Sequence, residues 1–343
     1  MNNISNLVRP SIAALKGYSS ARDEFTGQEG IFLDANENPY GNLNRYPDPY
    51  QRQLKQEISK LKHVSETNIF IGNGSDEIID ITFRVFCEPA KDKAIILTPT
   101  YGMYEVSAAI NNVALINVPL TNSFDIDIEA TNKATEDPDA KLLIICSPNN
   151  PTGNLLDRKL MEKIITNFKG VVLVDEAYID FSEEVSCNQW ITKFSNLIVM
   201  QTLSKAYGLA SARVGIGYAN ETIISYFNKV KPPYNVSGLN QAAAIATLQN
   251  NETYLFQKEK ITIEREKLEE ALDQNSLVIK RYPTVTNFIL AEVTDADAIY
   301  DALTAKNIII RNRTKQINNC LRFTVGTPEE NEQLINALIK LAP

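Results

Sequence analysis

The sequence contains few of the residue types on which metal sites and hydrolytic triads depend. Its 343 residues include one histidine, His63, and four cysteines. The cysteines lie far apart and form neither a C-x-x-C pair nor a dense disulfide pattern, which predicts reduced thiols. Zinc sites usually need several such ligands, and Ser-His or Cys-His catalysis needs a well-placed imidazole. We therefore expect no metal site, and proton transfer that uses another group or a cofactor.

Clusters of positive charge and long apolar runs are also missing from the sequence. Lys and Arg number 34 against 42 Asp and Glu, a net charge of −8, without a basic tract. Nucleic-acid binding needs clustered cations, and a membrane helix needs about 20 apolar residues in a row. Residues 1–20 lack the apolar core of a signal peptide. We expect a cytoplasmic protein that binds neither nucleic acid nor membranes.

The sequence does contain an ordinary apolar fraction, 44%, and an alternation of strand and helix patterns. A chain of this length predicts two domains, at roughly 150 residues per domain. Short β-branched runs at 94–98, 141–146, 171–174 and 197–200 are apolar on both faces, and amphipathic segments such as 157–168 separate them. This pattern predicts an α/β fold: a large, mostly parallel sheet flanked by helices, with ligand loops at the carboxyl ends of its strands.

The C-terminal part predicts a smaller α+β domain. A charged helical stretch at 252–272 precedes strand candidates at 287–293, 308–311 and 320–325, and Pro328 opens a final helix. The turn-rich N-terminal arm is expected to join the small domain or to pack on a partner subunit. The expected division is an arm at 1–45, a large domain at 46–250 and a small domain at 251–343.

A lysine follows one of the predicted strands directly. Lys205 lies just after the strand at 197–200, among hydroxyls and small residues, and Arg213 follows eight positions later. Desolvation or a neighbouring cation would lower the pKa of such a lysine and make it a nucleophile for Schiff-base formation. Ser204 and Arg213 could together hold a phosphate. A loop lysine taken alone is more often a solvated charge.

An acid ends the neighbouring predicted strand. Asp175 follows the buried run at 171–174, and a buried carboxylate needs a cationic or hydrogen-bonding partner. A protonated pyridine nitrogen would serve, as in proteins that use pyridoxal phosphate as an electron sink. Alternatively, Asp175 caps the next helix.

Two further loops fit the same edge of the sheet. Residues 146–153 combine turn residues with two amides, and Gly-Asn-Gly-Ser-Asp-Glu at 72–77 precedes an apolar helical run at 78–86. The amides at the start of that helix would point toward an anion. The segment lacks the third glycine of G-x-G-x-x-G and the Gly-Lys-Ser/Thr of a P-loop. The tail of pyridoxal phosphate therefore fits better than a nucleotide.

A series of motifs in chain order carries a family resemblance. They are NENPYG at 36–41, RYPD at 45–48, GNGSDE at 72–77, PTYGMY at 99–104, NNPTG at 149–153, DEAY at 175–178, SKAYG at 204–208, PPYNV at 232–236 and CLRFTVG at 320–326. Over nearly its whole length the chain resembles the class II, fold-type I pyridoxal-phosphate aminotransferases. Within them it is most similar to the histidinol-phosphate aminotransferases.

The resemblance implies roles around the cofactor ring. Lys205 would form the Schiff base with pyridoxal 5′-phosphate and shuttle the proton between substrate and cofactor. Asp175 would pair with the pyridine nitrogen, Asn150 and Tyr178 would bind the ring hydroxyl oxygen, and Tyr101 would lie against the ring face.

The resemblance also implies how the cofactor phosphate is held. The groups expected to bind it are those of Ser75, Asp76, Thr202, Ser204 and Arg213. In this family the residue that matches Tyr46 reaches the phosphate of the partner subunit, which implies a homodimer with shared active sites.

Substrate binding is implied for residues of the C-terminal part. Arg322 matches an arginine that holds a carboxylate in amino-acid aminotransferases and the substrate phosphate in histidinol-phosphate enzymes. Arg311, at the end of the predicted strand 308–310, matches a second arginine of the phosphate-binding subgroup, and Arg313 could compete for its role. Two guanidinium groups suit a dianion better than one carboxylate. The other substrate-binding candidates are Tyr18, Asn36 and Tyr234.

The implied reaction is the reversible conversion of L-histidinol phosphate and 2-oxoglutarate to imidazole acetol phosphate and L-glutamate, in histidine biosynthesis. Two alternatives keep the cofactor: an aromatic or other amino-acid aminotransferase, and a decarboxylase of threonine phosphate type. Two others change the class: a nucleotide-dependent oxidoreductase, which the missing glycine fingerprint disfavours, and a non-catalytic regulator, which the absence of a basic face disfavours.

Overall fold

A computed structural model describes residues 4–18 and 30–342 of the protein, which form a large sheet and a small one. The strands of the large sheet are β1 Ile69–Asn73, β2 Lys93–Thr98, β3 Ala114–Pro119, β4 Ala140–Cys146, β5 Val171–Asp175, β6 Leu197–Thr202 and β7 Val214–Ala219. Their order is β1-β7-β6-β5-β4-β2-β3. β7 runs antiparallel to both neighbours, and the other pairings are parallel. The prediction of a mostly parallel sheet is confirmed.

The apolar runs become strands because both faces of the large sheet are covered. Along β2, Ile95 and Leu97 pack into one hydrophobic layer while Ala94 and Ile96 pack into the other. Every residue of β5 is buried, as expected for a central strand of a parallel sheet. The carboxyl ends of β4, β5 and β6 therefore lie side by side at one edge of a rigid core.

Helices cover both faces of the large sheet. They are α1 Pro10–Ala13, α2 Arg52–Lys62, α3 Ser75–Phe86, α4 Met103–Ile110, α5 Ile128–Thr135, α6 Arg158–Asn167, α7 Glu221–Val230 and α8 Gly238–Gln249. The helix predicted at 157–168 is α6, whose first N–H groups donate to the side chain of Asp157.

The small sheet is antiparallel and lies on the C-terminal part of the chain. Its strands are β8 Val278–Arg281, β9 Phe288–Val293, β10 Arg311–Asn312 and β11 Cys320–Thr324, in the order β10-β11-β9-β8. Its helices are α9 Asn251–Asp273, α10 Ala296–Thr304 and α11 Pro328–Leu341. Thr327 and Glu330 form a capping box that starts α11 at Pro328, as the sequence predicts. None of the helices in the described ranges is both long enough and apolar enough to cross a membrane.

The strand predicted at 308–311 is wrong for its first three residues. β10 contains Arg311 and Asn312 alone. The apolar run before it completes the end of α10: Asn307 has a left-handed φ of 60°, and the Ile308 N–H donates to the Leu303 carbonyl at 3.0 Å. Because this bond closes the helix, Ile308 is not available to a strand ladder.

The described part of the N-terminal arm differs from the expectation. Ile4 and Val8 pack with Phe227 in a hydrophobic layer of the large sheet, and the Arg9 N–H donates to the Val85 carbonyl. This segment thus contacts the large sheet's helices rather than the small unit. The domain boundaries stay a prediction; Asn250 separates α8 from α9.

Two glycines let β7 pass close to the start of α3. A Cβ atom on Gly215 would overlap the backbone of Gly74 and Ser75, and one on Gly74 would overlap the guanidinium of Arg213. Gly74 also has a φ of +74°, which L residues with side chains rarely adopt. Close contact between the strand and the helix end therefore depends on both residues.

We expect Gly215→Ala to lower the free energy of unfolding by about 2–3 kcal/mol, because the atoms it would overlap belong to the backbone and cannot rotate away. The matched control is Gly217→Ala on the same strand, whose new Cβ would lie 3.6 Å from Ile78, an ordinary contact. Urea unfolding of both variants measures the difference. Equal stability of the two would contradict this account of the contact.

Candidate active site

A cavity of about 370 Å³ opens where the carboxyl ends of β4, β5 and β6 meet the small sheet. Its lining consists of Ser75, Asp76, Tyr101, Cys146, Asn150, Asp175, Ala177, Tyr178, Thr202, Ser204, Lys205, Ala210, Arg213, Arg311, Arg313 and Arg322. The structure thus brings together side chains that the sequence predicts for the ring, the phosphate and the substrate of one site.

Lys205 extends into this cavity from the loop after β6. Its Nζ lies 5.6 Å from the centre of the Tyr178 ring. The pKa of Lys205 is lowered, first because the surrounding protein desolvates the ammonium and second because Arg322 is nearby. A larger fraction of the side chain is therefore the neutral, nucleophilic amine than in a free lysine.

Asp175 is the last residue of β5 and is buried. Its carboxylate accepts hydrogen bonds from the Tyr104 hydroxyl at 2.6 Å and from the Ala177 N–H at 2.9 Å. Burial raises the pKa of Asp175 to about 6, while the bond from Tyr104 acts in the opposite direction. The carboxylate has donors but no cation bonded to it, so it can still pair with a cationic group of a ligand.

Tyr104 and Cys146 are site residues to which the sequence analysis gave no role. Tyr104 is fully buried, and its only sequence signal is its place at the end of the 99–104 motif. Cys146 also lines the cavity, but burial raises the pKa of its thiol to about 12, so it stays protonated near neutral pH. Tyr104 thus holds Asp175, and Cys146 shapes the wall.

One end of the cavity is built to receive an anion. α3 begins at Ser75 and Asp76, and its N-cap, Gly74, has no side chain that could accept from the first N–H groups. The Arg213 guanidinium lies at the same place, where it pairs with the Asp76 carboxylate at 3.4 Å. The hydroxyls of Thr202 and Ser204 lie 3.0 Å apart beside them.

Tyr101 joins this end of the cavity to the buried aspartate. Its hydroxyl donates to Asp76 at 3.3 Å, and its ring packs edge-on against Tyr104 with the centroids 5.6 Å apart. Burial and the neighbouring Asp76 raise the pKa of Tyr101 to about 12. Tyr101 therefore lies in the cavity as a neutral phenol.

Arg322 connects the small sheet to the large one. Its Nη1 donates to Asn150 Oδ1 at 2.5 Å, and its guanidinium lies over the Phe288 ring, 5.0 Å from the centroid. Tyr178 packs edge-on against the same ring at 5.1 Å. Burial raises the pKa of Tyr178. Asn150, Tyr178 and Arg322 thus form one wall.

Three guanidinium groups gather at the small-sheet side. Arg311 on β10 is opposite Arg322 on β11 in the strand register, and Arg313 follows two residues after Arg311. Within residues 4–18 and 30–342, no carboxylate forms an ion pair with any of the three. Such a cluster of like charges has an unmet preference for an anion.

Four of the predicted site residues do not line this cavity. Tyr18 is 72% exposed, and Asn36 is an exposed residue with a left-handed φ of 54°. Tyr46 and Tyr234 stack on each other with ring centroids 4.4 Å apart. For Tyr46 the expectation concerned the partner subunit's site. The roles of these four residues stay predictions.

The Asp175 carboxyl predicts a pH-dependent stability. Its pKa of about 6 in the folded chain exceeds the ordinary value, so between about pH 4 and 6 the folded chain retains a proton that the unfolded chain has lost. Stability from this group therefore falls as the pH rises through that window. We expect ligand-free Asp175→Asn to resist urea better than the unmodified protein above pH 6, with the advantage shrinking toward pH 4.

The paired variant acts in the opposite direction. Tyr104→Phe removes a donor that favours the carboxylate, so ligand-free Tyr104→Phe should lose more stability than the unmodified protein as the pH rises. Urea midpoints measured from pH 4 to pH 8 test both variants. The same pH profile for all three proteins would rule out Asp175 as the titrating group.

Comparison with known proteins places the chain in a family. The model of aminotransferase class I and II matches residues 31–338. The histidinol-phosphate aminotransferase of Bacteroides thetaiotaomicron is 50% identical over 345 residues, which cover 99% of each chain. That of Parabacteroides distasonis is 48% identical over 341 residues, which cover 98% of this chain and 99% of the relative.

Solved structures share the architecture. The histidinol-phosphate aminotransferase from Clostridium acetobutylicum has a TM-score of 0.81 at 25% identity, over 88% of this chain and 91% of that one. The one from Sinorhizobium meliloti, in complex with pyridoxal-5′-phosphate, has a TM-score of 0.80 at 24% identity, over 90% and 89%. The chain belongs to the class I and II aminotransferases and has the fold-type I architecture.

Proposed function

We propose that the protein is a pyridoxal-phosphate-dependent aminotransferase that converts L-histidinol phosphate and 2-oxoglutarate to imidazole acetol phosphate and L-glutamate, in histidine biosynthesis. The observation that carries the proposal is a single cavity in which Lys205, the buried Asp175 and three arginines without carboxylate partners meet. The full-length relatives, which are named histidinol-phosphate aminotransferases, support the choice of substrate.

The residues present fit pyridoxal phosphate. Asp175 is a buried carboxylate that has only neutral donors, which suits a protonated pyridine nitrogen. The uncapped first turn of α3 with Arg213 suits the cofactor phosphate. When bound, the cofactor supplies an electron sink for the negative charge that remains after a substrate proton is removed.

The remaining roles follow from position in the cavity. Asn150 and Tyr178 would donate to the oxygen on the cofactor ring, and Tyr101 would cover a ring face. Thr202 and Ser204 would add hydroxyl donors at the phosphate. Together these contacts would fix the ring so that the bond to be broken stands perpendicular to it.

Lys205 would hold the cofactor covalently and then act as the base. Its lowered pKa favours the neutral amine that can take the proton from the substrate carbon. The same ammonium would then return the proton to the cofactor side, which gives transamination rather than loss of a carboxyl group. Release of one product before the second substrate binds should produce ping-pong kinetics.

The arginines would select the substrate. Histidinol phosphate carries a phosphate dianion, while glutamate and 2-oxoglutarate carry two carboxylates. Arg322, held against Asn150 and Phe288, would bind the anion nearest the ring, and Arg311 would close over it. The excess of guanidinium groups over carboxylates favours phosphate-bearing substrates.

We also propose a cytoplasmic homodimer with shared sites. Apolar side chains before Tyr46 are exposed in the single chain: Ile31 at 92%, Leu33 at 87%, Tyr40 at 83% and Leu43 at 74%. A second copy would cover them, since a run of exposed large apolar residues marks an interface. Tyr46 would then reach the cofactor phosphate of the partner subunit, with Tyr18, Asn36 and Tyr234 near the substrate.

The reaction can be tested with three amino donors. With 2-oxoglutarate as acceptor, we expect the purified protein to convert histidinol phosphate, to transaminate phenylalanine at least about 100-fold less efficiently, and to leave threonine phosphate without decarboxylation. Lys205→Ala should abolish turnover and the visible absorption band of the holoenzyme. Lys159→Ala, an exposed lysine outside the cavity, is the control.

The outcomes separate the alternatives. Faster turnover of phenylalanine would identify an aromatic aminotransferase, and carbon dioxide release from threonine phosphate would identify a decarboxylase. A protein that takes up no pyridoxal phosphate would contradict the proposal as a whole.

Shared sites can be tested by mixing inactive subunits. If Tyr46 acts in the partner's site, a hybrid of Tyr46→Phe and Lys205→Ala subunits contains one site with both changes and one intact site. Random exchange should therefore restore about one quarter of the wild-type sites, well above the mean of the two parents. Absence of recovery after proven subunit exchange would contradict a Tyr46 role across the interface.

A further inference from the structure

Arg313 lies between the two arginines with predicted roles and is held firmly. Its backbone N–H donates to the Cys320 carbonyl of β11 at 2.8 Å, and its Nη1 donates to Gln316 Oε1 at 3.2 Å. Gln316 contacts the Thr100 carbonyl at 3.5 Å on the large-sheet side of the cavity. The guanidinium is therefore positioned by both parts of the molecule.

The donors of Arg313 are not used up by these contacts. The Nε of Arg313 is buried and has no hydrogen-bond partner, and the same holds for the Nε of Arg322. A guanidinium has five N–H donors, and a buried one without an acceptor is costly. Two adjacent arginines thus each present an unused donor in the same cavity wall.

The charges around Arg313 add to this cost. Burial, together with Arg322 and Arg311, lowers the pKa of Arg313 to about 10. The protein as a whole carries a net charge of −8, yet none of its described carboxylates pairs with this cluster. An arginine kept for stability alone would be paired with one of them, so the arrangement points to an anion from outside the chain.

We propose that Arg313 is a third ligand of the substrate phosphate and that it sets the preference for a phosphate dianion over a carboxylate; this rests on the proposed function. A carboxylate offers two oxygens, which one bidentate arginine satisfies. A phosphate ester offers three terminal oxygens and nearly two charges, which match three guanidinium groups.

The test compares Arg313→Gln with Lys315→Gln in the holoenzyme, where the cofactor's phosphate site is already filled. Lys315 is an exposed cation of the same loop that does not line the active cavity. Loss of one charged hydrogen-bonding partner should raise the KM for histidinol phosphate about tenfold to about 100-fold in Arg313→Gln. The kcat and the KM for glutamate should change by less than about threefold. Lys315→Gln should match the wild type in each.

Two further measurements separate binding from folding and from identity. Calorimetric titration with inorganic phosphate should show weaker binding to Arg313→Gln by a similar factor. In phosphate-free buffer this variant should melt no lower than the wild type, because one of three repelling charges is gone. Stabilisation by added phosphate should be smaller.

Three results would overturn the inference: unchanged KM and phosphate affinity, an equal loss in Lys315→Gln, or a parallel rise of KM for both substrates. If the wild type does not turn over histidinol phosphate, the proposed function fails instead. The phosphate titration then decides the role of Arg313 alone.

Discussion

The site depends on charge that the protein itself does not neutralise. Asp175 is buried with only a phenol and an amide N–H as donors, while Arg311, Arg313 and Arg322 gather without a carboxylate partner. Each arrangement costs free energy in the ligand-free chain. A ligand with a cationic ring nitrogen and anionic ends would remove both costs at once, which ties recognition to the relief of an electrostatic penalty.

The fold maintains this unfavourable arrangement because its core is rigid. Parallel strands buried on both faces end at one edge and place Asn150, Asp175 and Lys205 on neighbouring loops. The one antiparallel strand, β7, returns along β6 and brings Arg213 to the start of α3, where Gly74 and Gly215 allow close approach. The small sheet then closes the cavity through Arg322.

Local patterns predicted the parts of the site that one strand and its loop create. Asp175 and Lys205 each follow an apolar run, so their place at the sheet edge was readable from sequence. Tyr104 was missed because its partner is 71 residues away and no local pattern marks the pair. The strand at 308–310 was predicted wrongly because the apolar run there closes a helix. The arginine cluster depends on the packing of two sheets, and only the family resemblance pointed to it.

The central claim is that Lys205 carries the cofactor. Its most direct measurement is mass-spectrometric peptide mapping after the holoenzyme, formed with pyridoxal phosphate, is reduced with borohydride. The account predicts one pyridoxyl group per chain on the peptide that contains Lys205, at full occupancy. A label on another lysine, or spread thinly over several surface lysines, would contradict it.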